Sequence, residues 1–477
     1  MEEKTLNDTT NTTDSIPEDF SMKDAVALQR KYFKTGETKT IDFRIKQLRR
    51  LKLALLRNQD NLIMALKQDL NKSETESYAT EIGITLSEID YNIKQVEHWA
   101  KPLKVTTPLF FLPGKSHIHY EPYGVALIIS PWNYPVKNLL GPMLGAMAAG
   151  NCMILKPSEL APNTSRVIYE MISSEFNPEY VKVIEGGVPE TTTLLKERFD
   201  YILFTGGTEI GRIVYQAAAK HLTPVALELG GKSPTIVDEH IDLTVTARRI
   251  LWGKFTNAGQ TCIAPDYLLV NNKVKQPLIN KMKEVLIEFY GDDPSQSPDL
   301  GRIVTDNHFQ RIKKLIEGDV VVGGGSNEGQ RYIAPTIIDN VKMGDKVMSE
   351  EIFGPVLPVI GYDEIDGAID IVNAGEKPLA LYIFSNNPRV RKKILNNTTS
   401  GGVCINETLM HIGNPNLPFG GVGNSGIGAY NGKTGFDTFS HKRSVMTRSF
   451  LFDVKQKYAP FTPSKTSFIK FALKRLF

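Results

Sequence analysis

From Val125 to Lys220 the chain alternates short apolar runs with helix-compatible segments, and no other feature restricts its fold as tightly. Runs at Val125 to Ser130, Cys152 to Lys156, Val181 to Ile184 and Tyr201 to Thr205 are separated by a helix to Ala149, a helix from Asn163 and a short third helix; another helix ends near Lys220. Strands joined by helical crossovers predict a parallel, doubly wound sheet whose ligand lies at the carboxyl ends of the strands. Pro131-Trp132-Asn133, Lys156-Pro157-Ser158-Glu159 and Gly206-Gly207-Thr208 then fall along one edge of that sheet. A second alternating series runs from Thr235 to about Asn406, with strand-like Tyr267 to Val270, Ala380 to Phe384 and Val403 to Ile405 and a helix over Asn307 to Ile316. It predicts a second α/β domain, and 477 residues have room for two or three domains.

Upstream, Tyr78, Ile82, Leu86, Ile89, Ile93 and Val96 recur at steps of four and three, as do nearly Ile45, Leu48, Leu51 and Leu55. Each set predicts one buried helical face, so two long amphipathic helices are expected to pack on the first sheet without chemical duty. Lys101 to Pro122 reads as a β-hairpin turning at Pro113-Gly114. His117 and His119 share one face of it but have no third ligand, so no metal site is expected.

Several function classes are disfavoured. The net charge of +3 comes from interleaved basic and acidic residues and carries no nucleic-acid signature. No window holds 18 consecutive apolar residues. Three cysteines, Cys152, Cys262 and Cys404, form no CxxC or Cys/His spacing, which suits a reducing cytoplasm. Residues 1–20 lack the apolar core of a secretory signal and are expected to be a disordered leader. Near the end, Phe468, Ile469, Ala472, Leu473, Leu476 and Phe477 share a helical face opposite Lys470 and Lys474. This basic amphipathic tail, 464–477, could cover a substrate mouth, pack on a partner subunit or rest on the inner membrane surface.

The chemistry centres on Asn257-Ala258-Gly259-Gln260-Thr261-Cys262-Ile263-Ala264-Pro265, a short loop between a helix over Leu243 to Phe255 and the strand at Tyr267. Such a loop displays Cys262 to a cleft as a nucleophile; the plainer alternative is a small buried hydrophobe, the reading taken for Cys152 and Cys404. Glu228, between apolar residues at a strand end, is either a buried general base or a salt-bridged structural acid. Asn133, on the Pro-rich turn Ser130 to Pro135, either donates its amide to an oxyanion or stabilises the turn. Gly206-Gly207-Thr208-Glu209-Ile210-Gly211 follows a strand and opens a helix, the setting of a phosphate-binding turn, although G-x-T-x-x-G departs from the usual glycine pattern. Lys156 and Glu159 at the neighbouring strand end would hold ribose hydroxyls or merely begin the next helix.

Ser130-Pro131-Trp132-Asn133-Tyr134-Pro135, Phe204 to Thr208, Leu227 to Lys232, Gly259 to Cys262, Glu350-Glu351-Ile352-Phe353-Gly354-Pro355 and Leu417 to Gly426 occur in the order and spacing of the aldehyde dehydrogenase superfamily. The resemblance covers about residues 25 to 450 and is strongest to the class 3 and fatty-aldehyde branch. It implies a Rossmann-type NAD(P) domain over 21–102 and 123–227, a catalytic domain over 228–430, and a small β oligomerisation arm from 103–122 and 431–450, with 451–477 as the tail.

The same resemblance implies that Cys262 attacks an aldehyde, Asn133 and the Cys262 backbone N–H hold the oxyanion, and Glu228 activates water against the thioester. Lys156, Glu159 and Glu351 would meet the ribose of NAD or NADP, Phe353 the nicotinamide, and Gly206, Gly207, Thr208 and Gly211 the pyrophosphate. Tyr134 would line the substrate path, His411 would either line its entry or serve packing, and the assembly would be a homodimer. The expected activity is oxidation of an apolar aldehyde, medium- or long-chain or aromatic, to its carboxylate. A CoA-acylating relative and a non-catalytic scaffold that kept the fold are the alternatives.

Overall fold

The computed structural model describes residues 21–475, so the expected leader, Leu476 and Phe477 lie outside the described residues. The alternation after Val125 becomes a six-stranded sheet in the order Gly426–Ile427, Val225–Glu228, Tyr201–Thr205, Val125–Ile129, Cys152–Lys156, Val181–Val183. Its five strands between Val125 and Glu228 are parallel. Those at 125–129, 152–156 and 201–205 are buried at every position, hence their unbroken apolar character. Strand order reverses between Val125–Ile129 and Tyr201–Thr205. The Ser130–Asn133 and Gly206–Thr208 turns therefore flank a topological switch point, where such sheets open a crevice.

The second sheet has seven strands in the order Asp319–Val322, Thr336–Asp339, Val356–Tyr362, Tyr267–Asn271, Pro234–Val237, Ala380–Phe384, Gly402–Ile405. Only its first pair is antiparallel. Gly426–Ile427, from the range expected to belong to the second domain, returns to pair with Val225–Glu228. The two sheets are thus sewn together beside Glu228.

A third, antiparallel sheet joins Leu103–Val105, Gly114–Pro122 and Ser440–Arg448. Its first connection is wider than the expected Pro-Gly turn. Residues 106–113 carry a 3-10 turn at Leu109–Phe111, because Pro108 and Pro113 have no N–H to give a ladder and exclude the Leu109 to Leu112 run from pairing. The adjoining helix Gly432–Thr438 anchors this arm to the first domain: a Cβ on Gly145 would stand 2.9 Å from the backbone of Gly435, so the two helices meet almost backbone to backbone.

The N-terminal region holds more than two long helices: Met22–Phe33, Ile41–Arg57, Gln59–Leu70 and Gly83–Ala100, the last preceded by a π turn at Tyr78–Ile82. The π turn corrects the expected single face. Its wider winding leaves Tyr78 45% exposed while Ile82, Leu86, Ile89 and Val96 are buried. Glu81 is turned inward by the same winding and is fully buried.

The C-terminal helix Pro463–Arg475 packs chiefly on the Lys455–Lys457 turn, burying Ala472 but leaving Phe468, Phe471 and Leu473 exposed. Among the described residues no helix is long and apolar enough to cross a membrane, and no group of three His, Cys, Asp or Glu is placed to hold a metal.

Candidate active site

The helix Leu243–Phe255 starts at Asp242, whose carboxylate accepts the Val245 N–H at 2.8 Å. Beyond it Asn257, Ala258 and Gly259 all lie in the left-handed region, with φ of 53°, 51° and 75°. Holding side-chain-bearing residues there costs on the order of 1 kcal/mol or more each, so the surroundings must enforce it. They do. The Asn257 N–H donates to Glu76 at 2.8 Å, and its Nδ2 donates to the carbonyls of Asn133 at 2.7 Å and Gln260 at 3.1 Å. The Gln260 amide donates to the Asn257 and Arg302 carbonyls and accepts the Val304 N–H at 3.0 Å. Gly259 is required on space as well as φ, since a Cβ would stand 2.3 Å from the Gly354 carbonyl oxygen. Cys262 leaves this fixed turn half-buried.

Glu228 ends its strand opposite Thr205 in the neighbouring one and is 2% exposed. Neither of its carboxylate oxygens has a hydrogen-bond partner, and burial drives its pKa well above the usual carboxylate range. Burial, reinforced by the charges of Glu351 and Glu228, pushes the Cys262 thiol up to about 12, against the pull of the N–H groups of Cys262 and Ile263. Both effects favour the thiol over the thiolate.

Two cavities meet here. One, of about 370 Å³, is walled largely by apolar groups, among them Tyr134, Trp252, Ile263, Met410, Phe419 and Tyr430. The other, of about 480 Å³, runs past Trp132, Asn133, Gly206, Gly207, Thr208 and Phe353. Thr205, Glu228, Leu229 and Cys262 line both.

The aldehyde dehydrogenase family model matches residues 9–445 of the chain. The chain belongs to the aldehyde dehydrogenase family. The 4,4'-diaponeurosporen-aldehyde dehydrogenase of Staphylococcus aureus is 49% identical over 421 residues, covering 88% of this chain and 92% of that protein. The dimeric NADP-preferring aldehyde dehydrogenase of Rattus norvegicus is 48% identical over 448 residues, covering 93% and 99%. Among solved structures, the substrate-bound state of Staphylococcus aureus AldH superposes with a TM-score of 0.92 at 47% identity, covering 94% of this chain and 98% of that one.

Within this aldehyde dehydrogenase, Asn133 is 2% exposed and donates one amide hydrogen to the Gln260 carbonyl at 3.0 Å, leaving the second free on the cavity wall. Tyr134 lines the apolar cavity, its hydroxyl 2.7 Å from that of Thr261. Phe353 meets Trp132 edge to face at 5.4 Å, and Glu351, pushed up to about 8 by burial and the charge of Asp266, lines the same cavity.

Lys156 stands one strand further along, 2% exposed, with its ammonium 2.6 Å from the Pro157 carbonyl and 3.8 Å from the half-exposed Glu159 carboxylate. Neither contributes to the wall of the cavity beside Cys262. Gly206, Gly207 and Thr208 do form that wall, but Gly211 does not. Gly211 faces inward, where a Cβ would stand 2.6 Å from the Leu229 side chain, so its role is helix-on-strand packing.

His411 occupies the 3-10 turn Met410–Gly413, whose Met410, Ile412 and Gly413 line the apolar cavity; its own ring is not part of that wall and packs behind it, 6.1 Å from Tyr382 and 6.3 Å from the wall residue Phe419. Both ring nitrogens are buried without a partner, and burial lowers its pKa to about 4.

Thr205, which lines both cavities, and the polar residues behind the site, Lys72, Glu76, Glu81, Asn257 and Gln260, had no role legible in the sequence. Cys404 is only half-buried, against the expectation for a strand interior.

Proposed function

We propose that this aldehyde dehydrogenase oxidises apolar aldehydes, medium- or long-chain or aromatic, to carboxylates with NAD or NADP through a Cys262 thioester. One observation carries the reading: an apolar cavity and a glycine-lined cavity meet at a cysteine and an unpaired buried glutamate. The glycine-lined cavity suits a dinucleotide. The helix Thr208–Ala219 begins there with no capping side chain, and Gly207 has nothing within 4 Å of where a Cβ would stand. Uncapped N–H groups under open space are what a pyrophosphate needs. Gly206, Gly207 and Thr208 would hold it, Lys156, Glu159 and Glu351 the riboses, and Phe353 the nicotinamide, which accepts a hydride when bound.

The steps of the chain's own residues follow. The Cys262 thiol gives its proton to solvent water, its sulfur bonds the aldehyde carbon, and the carbonyl electron pair moves to oxygen. The free amide hydrogen of Asn133 and the Cys262 N–H stabilise that oxyanion, one such donor being worth roughly 3 kcal/mol. Collapse of the thiohemiacetal expels hydride and leaves a thioester. Glu228 then takes a proton from water, whose hydroxide adds to the acyl carbon, and the C–S bond breaks to leave the Cys262 thiolate and a carboxylic acid, which gives its proton to solvent water and departs as carboxylate. A desolvated carboxyl without partners fits general-base work, since nothing competes for its lone pairs.

Production of carboxylate and reduced nicotinamide in equal amounts from a straight-chain or aromatic aldehyde tests the reading; acyl-CoA as the product when CoA is added would replace it. We further propose that 21–102 with 123–227 binds the cofactor, that 228–430 carries the catalytic residues, and that the arm of 103–122 and 431–450 joins two copies. A monomer by light scattering would remove the last point.

A further inference from the structure

Lys72 is a fully buried lysine on the link between the helices at Gln59–Leu70 and Glu74–Ser77, outside every group to which a role was given above. Its ammonium donates to Glu81 Oε1 at 2.5 Å and to the Asn133 carbonyl at 3.0 Å, and lies 4.0 Å from the centre of the Tyr134 ring. The other oxygen of Glu81 accepts the N–H of Val136 at 2.8 Å and of Lys137 at 3.4 Å. The helix Lys137–Ala149 has no capping side chain of its own, so Glu81 caps it from another element and fixes the far side of the same turn.

The Asn133 carbonyl also accepts Asn257 Nδ2 at 2.7 Å, and the Asn133 amide donates to the Gln260 carbonyl. The turn bearing Asn133 is therefore held from the side of the Cys262 loop by Asn257 and Gln260, and from the other side by Lys72 and Glu81. A buried ion pair is poor evidence of stability, because desolvating both charges offsets most of their attraction. Its use must be sought in what it positions. The other side-chain hydrogen bonds and the ring contact of this pair fall on Asn133, Tyr134, Val136 and Lys137, and Lys72 also acts electrostatically on Glu76, which holds the Asn257 N–H of the Cys262 loop.

We propose that Lys72 and Glu81 are positioning residues for the oxidation step: they set the backbone of Asn133 so that its free amide hydrogen meets the oxyanion formed at Cys262. The inference rests on the assignment of Asn133 as oxyanion donor. A helical segment with no residue at the reacting atoms thereby becomes part of the active site, and the π turn at Tyr78–Ile82 is the device that brings Glu81 inward.

A double-mutant cycle on the rate of the first hydride transfer tests this, measured as the burst of reduced nicotinamide in the full chain with saturating NADP and hexanal. Lys72→Met with Glu81→Gln removes both charges of the pair while nearly keeping their volumes; Glu76 loses a neighbouring cation in that variant but keeps it in Glu81→Gln. Glu81→Gln alone, which retains an acceptor for the Val136 N–H, carries the same cycle should the pair fail to fold. With Asn133 present, the paired change is expected to slow the burst roughly tenfold or more, within the 10²- to 10³-fold loss typical of losing an oxyanion donor, while leaving the KM for NADP unchanged. In an Asn133→Ala background the same change is expected to alter the burst less than twofold, since residues acting through one group are not additive. Equal slowing in both backgrounds, or none in the first, overturns the proposal. An undiminished burst in Asn133→Ala alone would instead overturn the oxyanion assignment on which it stands.

Discussion

Glu228 and Cys262, 34 positions apart in the chain (262 − 228), stand on the short stretch of wall shared by two cavities, one apolar and one lined by glycines. Neither side chain has a cationic partner: the carboxylate oxygens are unpaired, and burial and nearby carboxylates raise the thiol. Each half-reaction can therefore be removed separately. Cys262→Ala is expected to bind cofactor and produce no reduced nicotinamide. Glu228→Gln is expected to give one burst of reduced nicotinamide per site, followed by turnover at least a hundredfold below that of the unchanged chain. Normal steady turnover in Glu228→Gln would sink the water-activating role.

The pH dependence follows from the sign of the shifts. A base must be ionised to work, and burial raises the Glu228 pKa, so its active fraction grows as pH rises. The thiol behaves likewise, from about 12 without cofactor. Steady turnover and the burst rate are both expected to climb from pH 6 to pH 9 (roughly the range of stable assay). In Glu228→Gln the burst should keep its climb, because it reports Cys262 alone. Turnover falling across that range would contradict the assignment of Glu228 as base.

The two sheets were legible because their strands are buried on both faces and so read as unbroken apolar runs, as at Val125–Ile129 and Ala380–Phe384. The Cys262 loop was legible for a similar local reason, lying between a periodic helix and an apolar strand. What stayed hidden depends on distance in the chain. Lys72 between Asn71 and Ser73 looks like any surface lysine, and only the fold brings it to Asn133 and Glu81. The π turn is invisible to a 3.6-residue period, which is why Tyr78 was expected inside. For His411 the choice between substrate entry and packing was not legible, because on a 3-10 turn adjacent residues face differently: Met410, Ile412 and Gly413 line the cavity and His411 does not.

The burial of the His411 ring nitrogens has a measurable consequence. His411 is half-buried with both nitrogens out of water, and desolvation lowers its pKa to about 4 from an ordinary 6.5, a gap on the order of 3 kcal/mol. Its folded pKa is lowered, so at pH between 6.5 and 4 the unfolded chain takes up the proton first; stability is whole above that window and lost as pH falls through it. His411→Leu removes the group and its two unpartnered nitrogens. It is expected to keep wild-type activity and to lose less melting temperature between pH 7 and pH 5 (roughly the upper part of that window) than the unchanged chain does. An inactive variant would restore His411 to the substrate path.

The cofactor turn can be tested at a glycine whose backbone does not need to be one. Gly207 has φ −70° and ψ 148°, a conformation open to any residue, and nothing lies within 4 Å of where its Cβ would stand. Folding alone therefore gives no reason for a glycine here, in contrast to Gly259, where a Cβ would meet the Gly354 carbonyl at 2.3 Å. The empty volume above Gly207 belongs to the glycine-lined cavity. Gly207→Val should lower the melting temperature by no more than about 3 °C, the cost of a poorer cap at a position where the side chain touches no neighbour. The KM for NAD and NADP should rise tenfold or more, because the added methyl groups would occupy the approach to the uncapped helix N-terminus. Gly207 is the residue that caps this helix, where Val is poorer than Gly by roughly 0.5–1 kcal/mol, a cost far below what would abolish folding, so the change in cofactor affinity remains readable. If cofactor affinity survives Gly207→Val, the pyrophosphate does not lie over this turn, and the helix Thr208–Ala219 has no part in holding it.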